Sequence, residues 1–271
     1  MGKKKQESLA AFLESTQKKP HPAQDPRRLF LDIETSPNVG VFWRPGNKLT
    51  LTPENITKER GIICASWKWG GAENIHSATW SATQSDEALT KRLATILNKA
   101  SEVVAHNGDH FDIRWIRGRC LKYGFTVNPF LVSIDTYKIA RRYFELNSHR
   151  LDYIGRYLGL GGKRGNGGLD MWKRVTLDND REALAEMVKY NRRDVQLLED
   201  VYYKLHQYFP SKLHTSGIAD TCPACGSGKL FVVRRRVSVA CRKTVQLCCA
   251  TCGKYHQVPA SKLPKPRVEK W

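Results

Sequence analysis

Apolar and polar positions alternate with a period of two across 29–34. Leu29, Leu31 and Ile33 fall on one face and Asp32 and Glu34 on the other, a strand pattern that Thr35-Ser36-Pro37 closes. Runs at 62–69 and 74–80 read as two more strands, parted by the hairpin signal Gly70-Gly71. Ser85 stands as an N-cap ahead of Leu89, Leu93, Ile96 and Leu97 at helical spacing. A short buried strand at 102–105 precedes a segment that turns helical after Asn107, through Phe111, Trp115, Ile116 and Cys120. A strand at 131–134 and helices near 135–144, 151–158 and 181–206 follow. On the last helix Met187, Tyr190, Asp194, Leu198, Val201 and Leu205 recur at steps of three and four, a continuous inward stripe. Three early strands followed by alternating strand and helix predict an α/β fold on a mixed sheet flanked by helices.

Outside 29–215 the pattern changes. Residues 1–28 are rich in Lys, Gln and Pro and read as a basic, disordered arm; 159–168 hold six glycines and read as a mobile loop. Within the arm, Gln6-x-x-Leu9-x-x-Phe12-Leu13 is similar to sliding-clamp binding peptides, although a chance amphipathic turn has the same spacing. Residues 216–258 form a small cysteine-bearing module and 259–271 a basic tail.

With 41% hydrophobic residues in 271, the chain can bury a core, which excludes wholesale disorder. No apolar run approaches the roughly 18 residues of a membrane span, and the patch at 9–13 is too short for a secretory signal. A cytoplasmic protein is expected, in the host cytoplasm if viral, with no membrane partner and eight reduced cysteines better explained by metal than by disulfides. The net charge of +19 points to a polyanionic partner, nucleic acid above all. Its distribution is uneven: 1–28 carry +4 and 216–271 carry +9, whereas the longer middle carries +6 and keeps most of the carboxylates.

Those carboxylates are the candidate chemistry. Asp32 and Glu34 share one side of a strand end. Asp112 falls in the first turn of a helix, with Asp109 as a competing acid nearby. Asp194 lies inside an apolar stripe, where an ionised carboxylate is costly unless a cation or donor meets it. Oxygen-only ligation of this kind selects hard cations, Mg2+ or Mn2+. Asp32-x-Glu34, Asn107-x-x-x-Phe111-Asp112 and Tyr190-x-x-x-Asp194 resemble, in order, the three motifs of the DEDD superfamily of 3′ to 5′ exonucleases. Tyr four before the last Asp matches the DEDDy branch, which includes the proofreading domains of family B DNA polymerases; 58–64 and 190–195 are also similar to stand-alone phage and bacterial members.

The resemblance implies an RNase H-like fold and two-metal phosphodiester hydrolysis, with ions about 3.5 to 4 Å apart. By it Asp32 bridges both ions, Glu34 and Asp194 complete the site of the water-bearing ion, and Asp112 supports the other. Tyr190 orients the water, while Asn107 and Phe111 contact the terminal nucleotide, a role that core packing contests for Phe111. The implied substrate is 3′-ended nucleic acid, single-stranded DNA first, in replication or repair alongside other replication proteins. An RNA-trimming enzyme, a structure-selective endonuclease and a non-catalytic nucleic-acid-binding replication scaffold are the alternatives.

Cys222-Pro-Ala-Cys225-Gly and Cys249-Ala-Thr-Cys252-Gly are two knuckles flanking a hairpin pattern at 230–236 and 237–247, the signature of a zinc ribbon with one structural Zn2+. Cys248 could replace Cys249 but breaks the Cys-x-x-Cys-Gly pattern. Cys64, Cys120 and Cys241 are expected to be ordinary thiols. Arg234, Arg235 and Arg236, with Arg242, Lys243 and Lys254, are expected to meet phosphate.

Overall fold

A computed structural model describes residues 27–44, 50–162, 168–213 and 220–263. Most of the arm with its clamp-like peptide, the centre of the glycine-rich run and the end of the basic tail lie outside the described residues.

The chain enters at β1 (Arg28–Thr35), then forms a small ribbon from β2 (Val39–Gly40) and β3 (Ile56–Lys58) before β4 (Ile62–Trp69) and β5 (His76–Thr79). Helix α1 (Glu87–Lys99), strand β6 (Glu102–Ala105), α2 (Asp112–Tyr123), β7 (Val132–Asp135) and α3 (Thr136–Tyr143) follow. Three helices complete the core: α4 (Leu151–Tyr157), α5 (Gly168–Thr176) and α6 (Arg181–Leu205). The sheet order is β5-β4-β1-β6-β7, antiparallel across β5, β4 and β1 and parallel across β1, β6 and β7.

The alternation in β1 explains the layering. Leu29, Leu31 and Ile33 pack with Leu93 and Leu97 of α1 and Ile113 and Ile116 of α2 on one face. Phe30, between them in sequence, packs on the other face with Val195, Leu198 and Val201 of α6. The even positions of β1, Asp32 and Glu34 included, therefore face α6.

The structure departs from the sequence expectation in several places. β5 is shorter than the apolar run at 74–80. Helix α5 lies outside the expected elements, because its two buried apolar residues, Met171 and Val175, are a single i, i+4 pair behind a glycine run. Ser85 is not the cap of α1. Asp86 takes that position, and its carboxylate turns away from the helix to accept from the Ile62 N–H, the Tyr123 hydroxyl and the Arg119 guanidinium. Against the upward push of burial, these donors hold the Asp86 carboxyl below the usual range. Asp86 thus ties α1, β4 and α2 together. Asp86→Ala is expected to cost about 3 kcal/mol, because it strands the buried charge of Arg119; a urea midpoint equal to wild type would contradict this.

The C-terminal module is a three-stranded antiparallel sheet, β10-β9-β8, formed by β8 (Leu230–Val237), β9 (Lys243–Cys249) and β10 (Tyr255–Pro259). The third strand is an addition to the expected hairpin. Lys254 corrects another expectation: it is only 1% exposed and meets no solvent phosphate. Its ammonium donates to the His206 and Phe209 carbonyls and lies 4.5 Å from the centre of the Phe209 ring. These carbonyls directly follow α6, so a cation here suits the negative end of that helix. The module is keyed to the core beside the start of β1, the end remote from Asp32 and Glu34.

Candidate active site

Three carboxylates meet where β1 ends against α6. One oxygen from each of Asp32, Glu34 and Asp194 lies within 4.8 Å of the others. Asp32 and Glu34 are half-buried and Asp194 is buried. The cross-strand register places Glu34 opposite Cys64, and a bulge follows between Glu34 and Thr35, which turns the strand end as bulges beside active sites commonly do. The Cys64 thiol is pushed well up, by burial first and then by Glu34 and Asp32, a sign of the negative charge gathered there.

One contact that the motifs do not contain orients this group. Asn191, fully buried on α6, donates from Nδ2 to Asp32 Oδ2 at 2.6 Å. It sits four residues after Met187 and three before Asp194, so the inward stripe of α6 already placed it; an amide among apolar neighbours was the available signal. Tyr190 lies one turn before Asp194, half-buried, and lines a cleft of about 420 Å³ with Arg193, Asp194, Gly161 and Gly162.

Asp112 is placed differently from the other three acids. The ladder between β1 and β6 ends at Phe30 and Val104, and beyond it the Ile33 N–H donates to Asp112 Oδ1 at 3.0 Å. Asp112 substitutes for the missing strand partner. It is not part of the group of three, and burial, with Asp135 nearby, pushes its carboxyl up to about 7 despite the backbone donors that pull it down. Asp109, the competing acid, is taken by Lys138 at 2.8 Å.

The turn ahead of α2 explains how Asp112 reaches β1. Asn107 has φ +63, the left-handed region that Asn tolerates, and its carbonyl accepts from the His110 and Phe111 N–H groups. Asp135 at the end of β7 accepts from the Asn107 N–H at 2.9 Å and from Tyr137 and Lys138 at the start of α3. A Cβ at Gly108 would lie 2.3 Å from the Ala105 Cβ, so only glycine lets the turn press this closely on β6. Gly108→Ala is expected to cost about 1 to 3 kcal/mol by forcing the turn outward; an unchanged melting temperature would refute the tight approach. Phe111 packs against the core, 6.4 Å from Trp115 between ring centres.

In the C-terminal module Cys222, Cys225, Cys249 and Cys252 each offer a sulfur within 4.8 Å of the rest. The closest pairs, Cys222 with Cys252 and Cys225 with Cys249, are 3.6 Å apart. That is too long for a disulfide and matches the roughly 3.8 Å edge of a tetrahedron with 2.3 Å zinc–sulfur bonds. The donor set therefore fits a Zn2+. Cys248 stands outside it, its thiol directed to the Gly253 carbonyl and pushed up to about 11 by burial. Arg234, Arg235 and Arg236 are exposed along β8, an edge strand. Cys64 and Cys120 are buried and Cys241 is exposed.

No helix among the described residues is long and apolar enough to cross a membrane. No curated protein matches the chain. A solved structure, the family B DNA polymerase from the hyperthermophilic archaeon Pyrobaculum calidifontis, is similar at a TM-score of 0.52 and 14% identity, over 78% of this chain. The match spans 31% of that polymerase, and at this identity it speaks for the fold alone. A family profile described as RNase_H superfamily matches residues 56–206, more than half of the chain. With its five-stranded mixed sheet between helical layers, the chain belongs to the RNase H superfamily.

Proposed function

We propose that the chain is a metal-dependent 3′ to 5′ exonuclease of the DEDDy type that removes 5′-mononucleotides from single-stranded DNA. The observation that carries this is the convergence of Asp32, Glu34 and Asp194 from β1 and α6, with Tyr190 one turn from Asp194 on the same helix. Three carboxylates this close repel one another in a half-buried site, and divalent cations are what such a set accommodates.

Asp32, Glu34 and Asp194 would hold Mg2+ or Mn2+, with Asp112 the further ligand from the other face of the sheet. When bound, the cations would supply Lewis acidity toward the scissile phosphate and lower the pKa of a water. Asn191 fixes Asp32 in its rotamer. Tyr190, which lines its cleft beside Asp194, would orient the attacking water, and Asn107 and Phe111 would contact the terminal nucleotide. The four-cysteine module would carry one structural Zn2+ and hold its exposed arginines toward the polyanion.

Matched single-stranded DNA, duplex DNA and RNA, each labelled at the 5′ end and incubated with Mg2+ or Mn2+, test this. A ladder shortening from the 3′ end is expected fastest on single-stranded DNA. Preference for the RNA would make the enzyme a ribonuclease on the same site, and an intact panel would remove the proposal.

A further inference from the structure

A second cleft, of about 530 Å³, opens on the side of the sheet that carries α2, between that helix and the segment joining β3 to β4. It begins at the motif turn. Trp115 follows Asp112 by one helical turn, and Asn38 follows the end of β1 by three residues. Arg60 is anchored there twice through its backbone: its N–H donates to Asn38 Oδ1 at 3.0 Å and its carbonyl accepts from Arg119. Its guanidinium carbon is held 4.5 Å from the centre of the Trp115 ring. Arg114 and Lys122 are exposed along the same wall. Arg119 is committed to Asp86, and Glu59 is the one acid among the residues that line the cleft.

The charge here is not taken up by ion pairs. Arg60, Arg114 and Lys122 have no carboxylate within ion-pair distance among the described residues, whereas the basic groups of the interior, Arg28 and Lys68, are each paired with a glutamate. A guanidinium laid over an indole gives a flat cationic surface on which a base can stack, and the exposed cations on the same wall can meet phosphates. The cleft shares Asn38 and Arg60 with a hollow at the end of β1 lined by Thr35, Ser36, Pro37 and Trp172, which gives a single polynucleotide strand a continuous course from that strand end.

We propose that this cleft holds the nucleotides upstream of the 3′ end, with Arg60 over Trp115 as the stacking platform and Arg114 and Lys122 on the phosphates. The inference rests on the exonuclease reading for the direction of the strand. The test is fluorescence anisotropy without added Mg2+ or Mn2+, with twelve- and three-nucleotide oligothymidylates labelled at the 5′ end, using the full zinc-loaded chain and the double variant R60S/R114S. Both side chains reach solvent, so the variant is expected to fold, which a melting curve checks.

The variant should bind the longer strand roughly tenfold more weakly and the shorter one within twofold of wild type. Its salt dependence should be shallower by about 0.7 in log–log slope, the value for the one single-strand phosphate contact assigned to Arg114. Equal binding of the longer strand by both proteins would overturn the proposal. An equal loss on both lengths would also overturn it, by placing these residues at the terminal nucleotide or in a general field. The exonuclease reading fails separately, if the wild-type protein with Mg2+ cuts no oligonucleotide that it binds.

Discussion

Asp32→Asn should lower the rate of metal-dependent hydrolysis by at least about a thousandfold while leaving the protein folded. The size follows from position. Asp32 lies within 4.8 Å of both Glu34 and Asp194 and is held by the Asn191 amide. Loss of a mere hydrogen-bond partner to a metal ligand already costs 10- to 100-fold, which is the effect expected for Asn191→Leu. Removing the ligand charge must cost more. The amide oxygen introduced by the substitution can still accept from Asn191, and one of three mutually repelling charges is gone. In EDTA the variant should therefore melt at or above the wild-type temperature. Retained hydrolysis, or a large drop in melting temperature, would contradict the assignment.

The second large effect concerns the cysteines. Purified protein should contain about one Zn2+ per chain, and Cys222→Ser should abolish it. A three-stranded sheet whose buried core is four cysteines and four other small or aliphatic side chains cannot stand alone, so the metal supplies its folding energy, on the order of 10 kcal/mol or more. The loss should spread. Without the module's fold, Lys254 withdraws from the His206 and Phe209 carbonyls at the end of α6, leaving them unsatisfied beside the buried pair Arg28–Glu102. The melting temperature of the RNase H-like core should fall on chelation. A metal-free preparation with a wild-type melt would mean that the four sulfurs are held by packing alone.

What is legible in the sequence is what a local period can encode. The two-residue alternation of β1 puts Asp32 and Glu34 on one face, and the three-four stripe of α6 puts Asp194 among buried residues; both placements hold because each element packs by the same period. The knuckle spacing likewise separates Cys249 from Cys248. What escapes depends on contacts between distant segments. Lys254 reads as another surface cation and is a buried plug, since nothing local to the ribbon says that α6 ends beneath it. The role of Asp112 on the Ile33 N–H depends on where β6 stops, and that of Gly108 on a 2.3 Å approach across a turn. Asp86 competes for three donors from two other elements, which a capping rule cannot weigh.

The segregation of charge takes on a physical sense in this arrangement. Clustered carboxylates repel a polyanion until cations neutralise them, so attraction must come from elsewhere. The +9 of 216–271 and the basic wall beside α2 can both supply it.

Whether the three converging acids act on a free 3′ end is decided most directly by one reaction with Mg2+ that contains a linear single-stranded DNA and the same sequence closed into a circle. The linear strand is expected to shorten nucleotide by nucleotide to mononucleotides while the circle persists. Nicking of the circle, or survival of both strands, would contradict the assignment of these acids to an exonuclease.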